Sequence, residues 1–323
     1  MPKPIFCLMG PTASGKTALA SELIQHLPLE IISVDSAMIY REMDIGTAKP
    51  SPDELKRAPH HLIDILNPPE SYSASQFCEE ALTLSKAIHA RGKYPLLVGG
   101  TMMYFNALQQ GLSVLPESNE ASRAFFAEAL KQHGLTHLYN QLAAVDPQMA
   151  TKLHPNDTQR ILRALEVHHL SGETLSSFWA AQKEKGAHRF VNLILWPEER
   201  AFLHARIAQR FIQMLSDGFV EEVEHLLGKW SLSGENPAMR CVGYRQVMDY
   251  LNGQWNRNEL QEKGIAATRQ LAKRQLTWLR SWPDARAFFC EQPHLSEVMA
   301  LITEILDNSA HCEAEENEDD SNA

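Results

Sequence analysis

Two rhythms of apolar and polar positions organise this chain. A short apolar run at residues 5–9 is followed by a glycine-rich turn and a helix-like segment, 18–27. Short apolar runs return at 30–34, 95–98 and 190–196, and helical spacing follows each of them. Buried runs alternating with helices predict an α/β fold built on a parallel sheet. Ser73-Ala74-Ser75-Gln76 reads as a capping box, opening a helix with apolar positions Phe77, Ala81, Leu84 and Ile88 that Gly92 stops. Residues 50–69 read as loop, and the His60-His61 pair inside it as structural, since no metal-ligand spacing accompanies it.

Near residue 115 the alternation ceases. Amphipathic helices are predicted over 119–132, 136–145, 147–153 and 157–170, with Gly172 behind the last. The expected organisation is an α/β core at 1–114, an inserted helical domain at 115–188, the rest of the core with C-terminal helices at 189–308, and a disordered acidic tail at 309–323. Leu203, Ile207, Phe211 and Leu215, then Phe219, Val223, Leu226 and Leu227, are expected core positions.

The first turn carries chemistry. Gly10-Pro11-Thr12-Ala13-Ser14-Gly15-Lys16-Thr17 has the G-x-x-x-x-G-K-T spacing, and a strand before it with a helix after it makes that spacing a phosphate cradle. Glycines let amide N–H groups turn inward, and the helix start adds its positive end. Lys16 adds a charge, and the Thr17 hydroxyl can ligate magnesium. Asp35 ends the second run and Gly99-Gly100-Thr101 the third, so both belong at the carboxyl edge, where open parallel sheets bind ligands. Capping would also explain Asp35; beside a phosphate loop a catalytic role is preferred. The strand-end slot where a nucleotide hydrolase carries a magnesium-binding Asp holds Gly99-Gly100-Thr101 instead. The loop is therefore expected to grip a phosphate chain without nucleotide hydrolysis.

Basic positions suggest a second partner. Arg160 and Arg163 lie opposite Ile161, Leu162 and Leu165 on one predicted helix, and Arg240 and Arg245 flank a predicted helix start. On the predicted helix 259–280, Arg269, Lys273 and Arg280 share a stripe with Leu276, while Ala267, Leu271 and Trp278 are expected to face the core. Like charges so spaced cost a few tenths of a kcal/mol, about 0.2–0.5 per pair. A nucleic-acid backbone would offset that cost.

Net charge is −10, but the stretch 313–323 holds six acids and no Lys or Arg, leaving −4 for the rest. Nucleic acid must then meet a local patch. Five cysteines without a C-x-x-C pair indicate neither zinc nor a disulfide framework, and a reducing cytoplasm is expected. No apolar run is long enough to span a membrane, and Met1-Pro2-Lys3-Pro4 enters a strand directly, so no signal peptide is expected.

Seven ordered blocks give the chain a family resemblance. They are the loop at 10–17, Ser-Val-Asp-Ser-Ala-Met-Ile-Tyr at 33–40, Asp-Ile-Gly-Thr-Ala-Lys-Pro at 44–50, Val-Gly-Gly-Thr-Met-Met-Tyr at 98–104, Gln-Arg-Ile-Leu-Arg-Ala-Leu-Glu at 159–166, Arg-Cys-Val-Gly-Tyr-Arg at 240–245 and Lys-Arg-Gln-Leu-Thr-Trp-Leu-Arg at 273–280. Together they resemble the tRNA dimethylallyltransferases, from about residue 5 to about residue 282. The resemblance implies a P-loop NTPase-like, adenylate-kinase-like core and an inserted helical domain that clasps the anticodon stem-loop. It implies magnesium-dependent transfer of a dimethylallyl group from dimethylallyl diphosphate. The acceptor would be N6 of the adenine just 3′ of the anticodon, in tRNAs reading codons that start with U.

Carried over by position, the cradle Gly10, Pro11, Thr12, Ala13, Ser14, Gly15, Lys16 and Thr17 would take the diphosphate, with Thr17 on the metal. Asp35, Ser36, Ala37 and Met38 would meet the adenine, and Asp35, Lys16 and Thr101 form the catalytic set. Thr101 and Arg123 are further tRNA contacts, Arg123 by resemblance alone. Gln159, Arg160, Ile161, Leu162 and Arg163 would hold tRNA. So would Arg240, Cys241, Val242, Gly243, Tyr244 and Arg245, and also Lys273, Arg274, Gln275, Leu276, Thr277, Trp278, Leu279 and Arg280. A monomer is expected. Two rivals are a P-loop small-molecule kinase, which would phosphorylate a metabolite, and a non-catalytic tRNA binder, indifferent to loss of Asp35.

Overall fold

Strand β1 (Pro4–Met9) is buried at all six positions, because it has strands on both sides and helices on both faces. The structure is a computed structural model. It describes residues 2–111, 115–181, 188–292 and 294–321, with side chains through 309. Helix α1 (Lys16–His26) leaves the turn after β1, with Gly15 at φ 94°, and β2 (Leu29–Val34) follows. Next come α2 (Pro52–Arg57), the two-residue β3 (His60–His61), α3 (Ala74–Ala90), β4 (Tyr94–Gly99) and α4 (Met102–Gln110). The capping box at Ser73 and Gln76 forms as expected. A second box, Ser51 with Glu54, starts α2 inside the stretch expected to be loop.

Residues Gln110–Gly186 form a separate compact unit. It contains α5 (Glu120–Val145), α6 (Pro147–Lys152), α7 (Thr158–Ser171) and α8 (Leu175–Ala180). Gly134 interrupts α5 at φ 75°, ψ 167°, between the two helices expected there. Phe126, Leu138, Leu142, Met149, Ile161 and Leu165 give this unit its own core.

The chain then resumes with β5 (Arg189–Trp196), α9 (Arg200–Ser216), α10 (Phe219–Lys229), α11 (Tyr244–Leu251), α12 (Arg257–Arg280), β6 (Ala285–Phe289) and α13 (Leu295–Ser321). The described strands make one parallel sheet in the order β3-β2-β4-β1-β5-β6. The order reverses direction at β1, so the carboxyl ends of β1, β2 and β4 share one crevice.

Two expectations change here. Helix α12 buries Leu260, Gly264, Thr268, Ala272, Gln275, Leu276 and Leu279, whereas Trp278 is 42% exposed. Its inward face contains a glycine, a threonine and a glutamine, which hid it from a reading based on apolar spacing. Leu276 belongs to that face, so only Arg269, Lys273 and Arg280 of the expected stripe reach solvent. Helix α13 also continues to Ser321, through most of the stretch expected to be disordered. Ala and Glu, which fill residues 313–316, are strong helix formers.

The segment between β2 and α3 is held by two charged side chains. Glu222 accepts hydrogen bonds from the consecutive amides of Asp44, Ile45 and Gly46 and from the Tyr244 hydroxyl. The Lys49 side chain, 3% exposed, donates to Tyr40 O and pairs with Asp44 and Asp64. Four non-glycine residues here, Glu42, Ala48, Leu62 and Asp64, have positive φ. This is conformational cost that tertiary contacts must offset.

Candidate active site

A cleft of about 1360 Å³ opens at the carboxyl ends of β1, β2 and β4. Its floor is the phosphate loop. At Gly10 a Cβ would lie 2.8 Å from Ser14 Oγ and 2.9 Å from Leu195 O, so only glycine lets the loop leave β1 here. Ala13 at φ 65° and Gly15 at φ 94° bend the chain over the start of α1. The loop amides and the first turn of α1 then face the same space, a site suited to a phosphate chain. Thr17, in that first turn, lines the cleft.

Lys16 folds back over the loop, donating to Pro11 O at 2.7 Å and to Ser14 Oγ at 3.4 Å. Burial, and next the Arg210 charge, lower its ammonium from the usual 10.5 to about 7, against an opposing pull from Asp35. Arg210 comes from α9 and donates to Thr12 Oγ1. Burial pushes Arg210 down as well, while Asp35 pulls it up. Arg206, one turn earlier, lies over the loop, its guanidinium 3.8 Å from where a Cβ on Gly15 would sit. Three cations thus crowd one loop, an arrangement that an anion relieves.

Asp35 stands just past β2. Its Oδ1 accepts from the amides of Ala37 at 2.8 Å and Met38 at 3.3 Å. The capping role therefore exists, and it fixes the carboxylate. Among the described residues none hydrogen-bonds Oδ2, which is left for a ligand in the cleft. Thr101 Oγ1 accepts from Ser36 N at 3.1 Å and lies 3.4 Å from Ser36 Oγ, tying β4 to the Asp35 turn. Ala37, Met38, Cys241 and Val242 add apolar lining. Burial pushes the Cys241 thiol up to about 12, with the Asp35 charge adding to it.

Lys16, Thr17, Asp35 and Thr101 are therefore brought together as the sequence predicts, with Gly10 through Ser14 beneath them. The IPP transferase family model matches residues 38–282, and the isopentenyl transferase model residues 3–67. The chain belongs to the IPP transferase family. A tRNA dimethylallyltransferase of Legionella pneumophila (strain Corby) is 58% identical over 310 residues, 96% of this chain and 99% of that protein. The full-length tRNA isopentenylpyrophosphate transferase of Bacillus halodurans superposes with a TM-score of 0.71 at 33% identity, over 97% of this chain and all of that one. A eukaryotic dimethylallyltransferase whose crystal structures capture it acting on tRNA superposes with a TM-score of 0.81 at 26% identity, over 95% of this chain and 80% of that one. The sheet is the P-loop NTPase-like core expected for this IPP transferase.

Not every residue in the seven blocks presents a side chain to a ligand. Tyr244 is fully buried against Phe219, with its hydroxyl on Glu222. Gly243 is buried, Gln275 is buried at the edge of the cleft, and Leu276 and Leu279 face the core, whereas Arg240, Arg245, Lys273, Arg274, Thr277, Trp278 and Arg280 are exposed. In the helical unit, Ile161 is buried and Leu162 half-buried against the same core. Gln159 is exposed, and Arg160 is exposed beside Asp157. Arg163 donates to Pro116 O at 2.8 Å and pairs with Glu166, so it anchors the unit instead of forming a free basic face. Arg123 is exposed on α5. Sequence reasoning missed Arg206 and Arg210. Both flank the Leu203–Ile207–Phe211 stripe, which was read only for its apolar side.

Proposed function

We propose that this IPP transferase moves a dimethylallyl group from dimethylallyl diphosphate to N6 of the adenine 3′-adjacent to the anticodon. The tRNAs would be those reading codons that start with U; diphosphate is the second product. One observation carries the reading: a carboxylate held by two backbone amides lines the cleft beside a phosphate loop crowded by Lys16, Arg206 and Arg210.

The adenine amine is a poor nucleophile because its lone pair is shared with the ring. Asp35 Oδ2 accepts the N6 proton as nitrogen bonds to C1 of the dimethylallyl group, help worth about 10²–10⁴-fold. The C1–O bond breaks and the diphosphate leaves with the electron pair. Loop amides, Lys16 and Arg210 offset the charge that develops. Apolar lining from Met38, Cys241 and Val242 suits the dimethylallyl tail. The base must leave its stack to reach this depth, as base-modifying enzymes require.

Magnesium is proposed at the cradle, where Thr17 offers one hydroxyl at the helix start. That donor set suits a cation that keeps waters and takes substrate phosphate oxygens. When bound, the ion would neutralise diphosphate charge. No helix among the described residues is long and apolar enough to cross a membrane, and the protein is proposed to act in the cytoplasm as a monomer. Nucleoside mass analysis of tRNA from cells with and without this protein tests the reading. Isopentenyladenosine should vanish without it, and adenosine unmodified equally in both would contradict it.

A further inference from the structure

Gln275, on the buried face of α12, reaches the cleft and is 7% exposed. Its Oε1 accepts from Thr12 N at 2.8 Å, and its Nε2 donates to Gly100 O at 2.8 Å. Thr12 belongs to the phosphate loop. Gly100 belongs to the glycine pair that ends β4. A Cβ on Gly100 would sit 2.4 Å from Gln275 Nε2, so the glycine makes room for this amide. Among the described residues Thr12 N donates to nothing else, while Gly100 O also accepts from Met102 N.

Each end of this bridge leads to reacting groups. On the donor side, Thr12 Oγ1 takes the hydrogen bond from Arg210, which crowds Lys16. On the acceptor side, Thr101 follows Gly100 and its hydroxyl holds Ser36 N, next to Asp35. The bridge needs one acceptor and one donor on the same planar group, and a primary amide supplies both. Glutamate would accept from Thr12 N but oppose Gly100 O until protonated. Methionine keeps the shape and has neither a strong donor nor a strong acceptor.

We propose that Gln275 is a positioning residue that couples the diphosphate cradle to the adenine-facing edge, fixing the distance between donor carbon and acceptor nitrogen. It does not itself hold tRNA. The inference rests on the transfer reading above. Alignment errors of about 1 Å can cost on the order of 100-fold in rate, so the effect should fall on kcat.

The test is steady-state transfer from labelled dimethylallyl diphosphate to full-length tRNA, with separate binding measurements for inorganic pyrophosphate and tRNA. In Gln275→Met, kcat should fall about 10- to 100-fold. Both dissociation constants should stay close to wild type. In Gln275→Glu, the ratio of its kcat to that of wild type should rise as pH falls from 8 to about 6, because the protonated carboxyl regains the donor to Gly100 O. Unchanged kcat in Gln275→Met, or a kcat loss matched by lost tRNA binding, overturns the inference. Should that variant fail to fold, a pH-independent ratio in Gln275→Glu overturns it. Wild-type protein that moves no label overturns the transfer reading itself, whereas wild-type transfer with an undiminished Gln275→Met overturns the coupling alone.

Discussion

At the scale of single residues, the site works by placing charge where it is poorly solvated. Burial lowers the Lys16 ammonium to about 7. A bound diphosphate must raise that value, since opposite charge favours the ammonium. Above pH 7, then, pyrophosphate binding should draw a proton onto Lys16. Calorimetry near pH 8 in buffers of different ionisation enthalpy should show more proton uptake, or less release, in wild type than in Lys16→Arg, whose guanidinium stays charged throughout while the ligand's own proton release is common to both. Equal uptake in both would remove Lys16 as its source. Lys16, Thr17, Asp35 and Thr101 were legible in the sequence because motif spacing and strand ends fix where they stand. Arg206 and Arg210 were not, and Gln275 was placed only within a block expected to hold tRNA, because their contacts come from the packing of α9 and α12 against the loop, which no local pattern announces.

At the scale of elements, glycines and buried charges set the register of the segments around the cleft. A Cβ on Gly46 would lie 2.1 Å from the Phe219 ring and 2.6 Å from Tyr244. Gly46→Ala should therefore destabilise the fold by at least the ~1–3 kcal/mol typical of overpacking, read as a lower denaturation midpoint. Glu222→Gln loses charge-assisted bonds to three amides and a hydroxyl. It should cost about 1.5–3 kcal/mol in the same measurement. A midpoint unchanged by either would show that the loop after β2 is not held as described. The parallel strands and most helices were readable from periodicity and capping residues. The short α2, β3 and β6 were not: α2 buries no residue, β3 has two residues, and β6 has no continuous buried run. On α12 the exposed Trp278 and the buried Gln275 reverse what hydrophobicity alone predicts, which is why its inner face was misplaced.

At the scale of the whole molecule, an acidic chain must bind a polyanion. The body outside residues 313–323 carries −4, so the attraction is proposed to come from local cations such as Lys273, Arg274 and Arg280, which are exposed on α12. Replacing Lys273 and Arg280 together by Glu should weaken tRNA binding roughly evenly across tRNAs, and should reduce the dependence of log K on log salt by about one per lost phosphate contact. The affinity for pyrophosphate should not change. An unaltered salt slope would move the tRNA footprint away from α12.

The cradle is proposed to anchor the leaving half of an isoprenoid donor while Asp35 takes a proton from adenine. Purified protein given tRNA with labelled dimethylallyl diphosphate, or with ATP labelled on its terminal phosphate, tests it most directly. Label should pass from the isoprenoid to the adenine beside the anticodon. Asp35→Asn should slow that transfer about 10²–10⁴-fold while tRNA still binds. Transfer of phosphate from ATP with none from the isoprenoid, or full activity in Asp35→Asn, would contradict it.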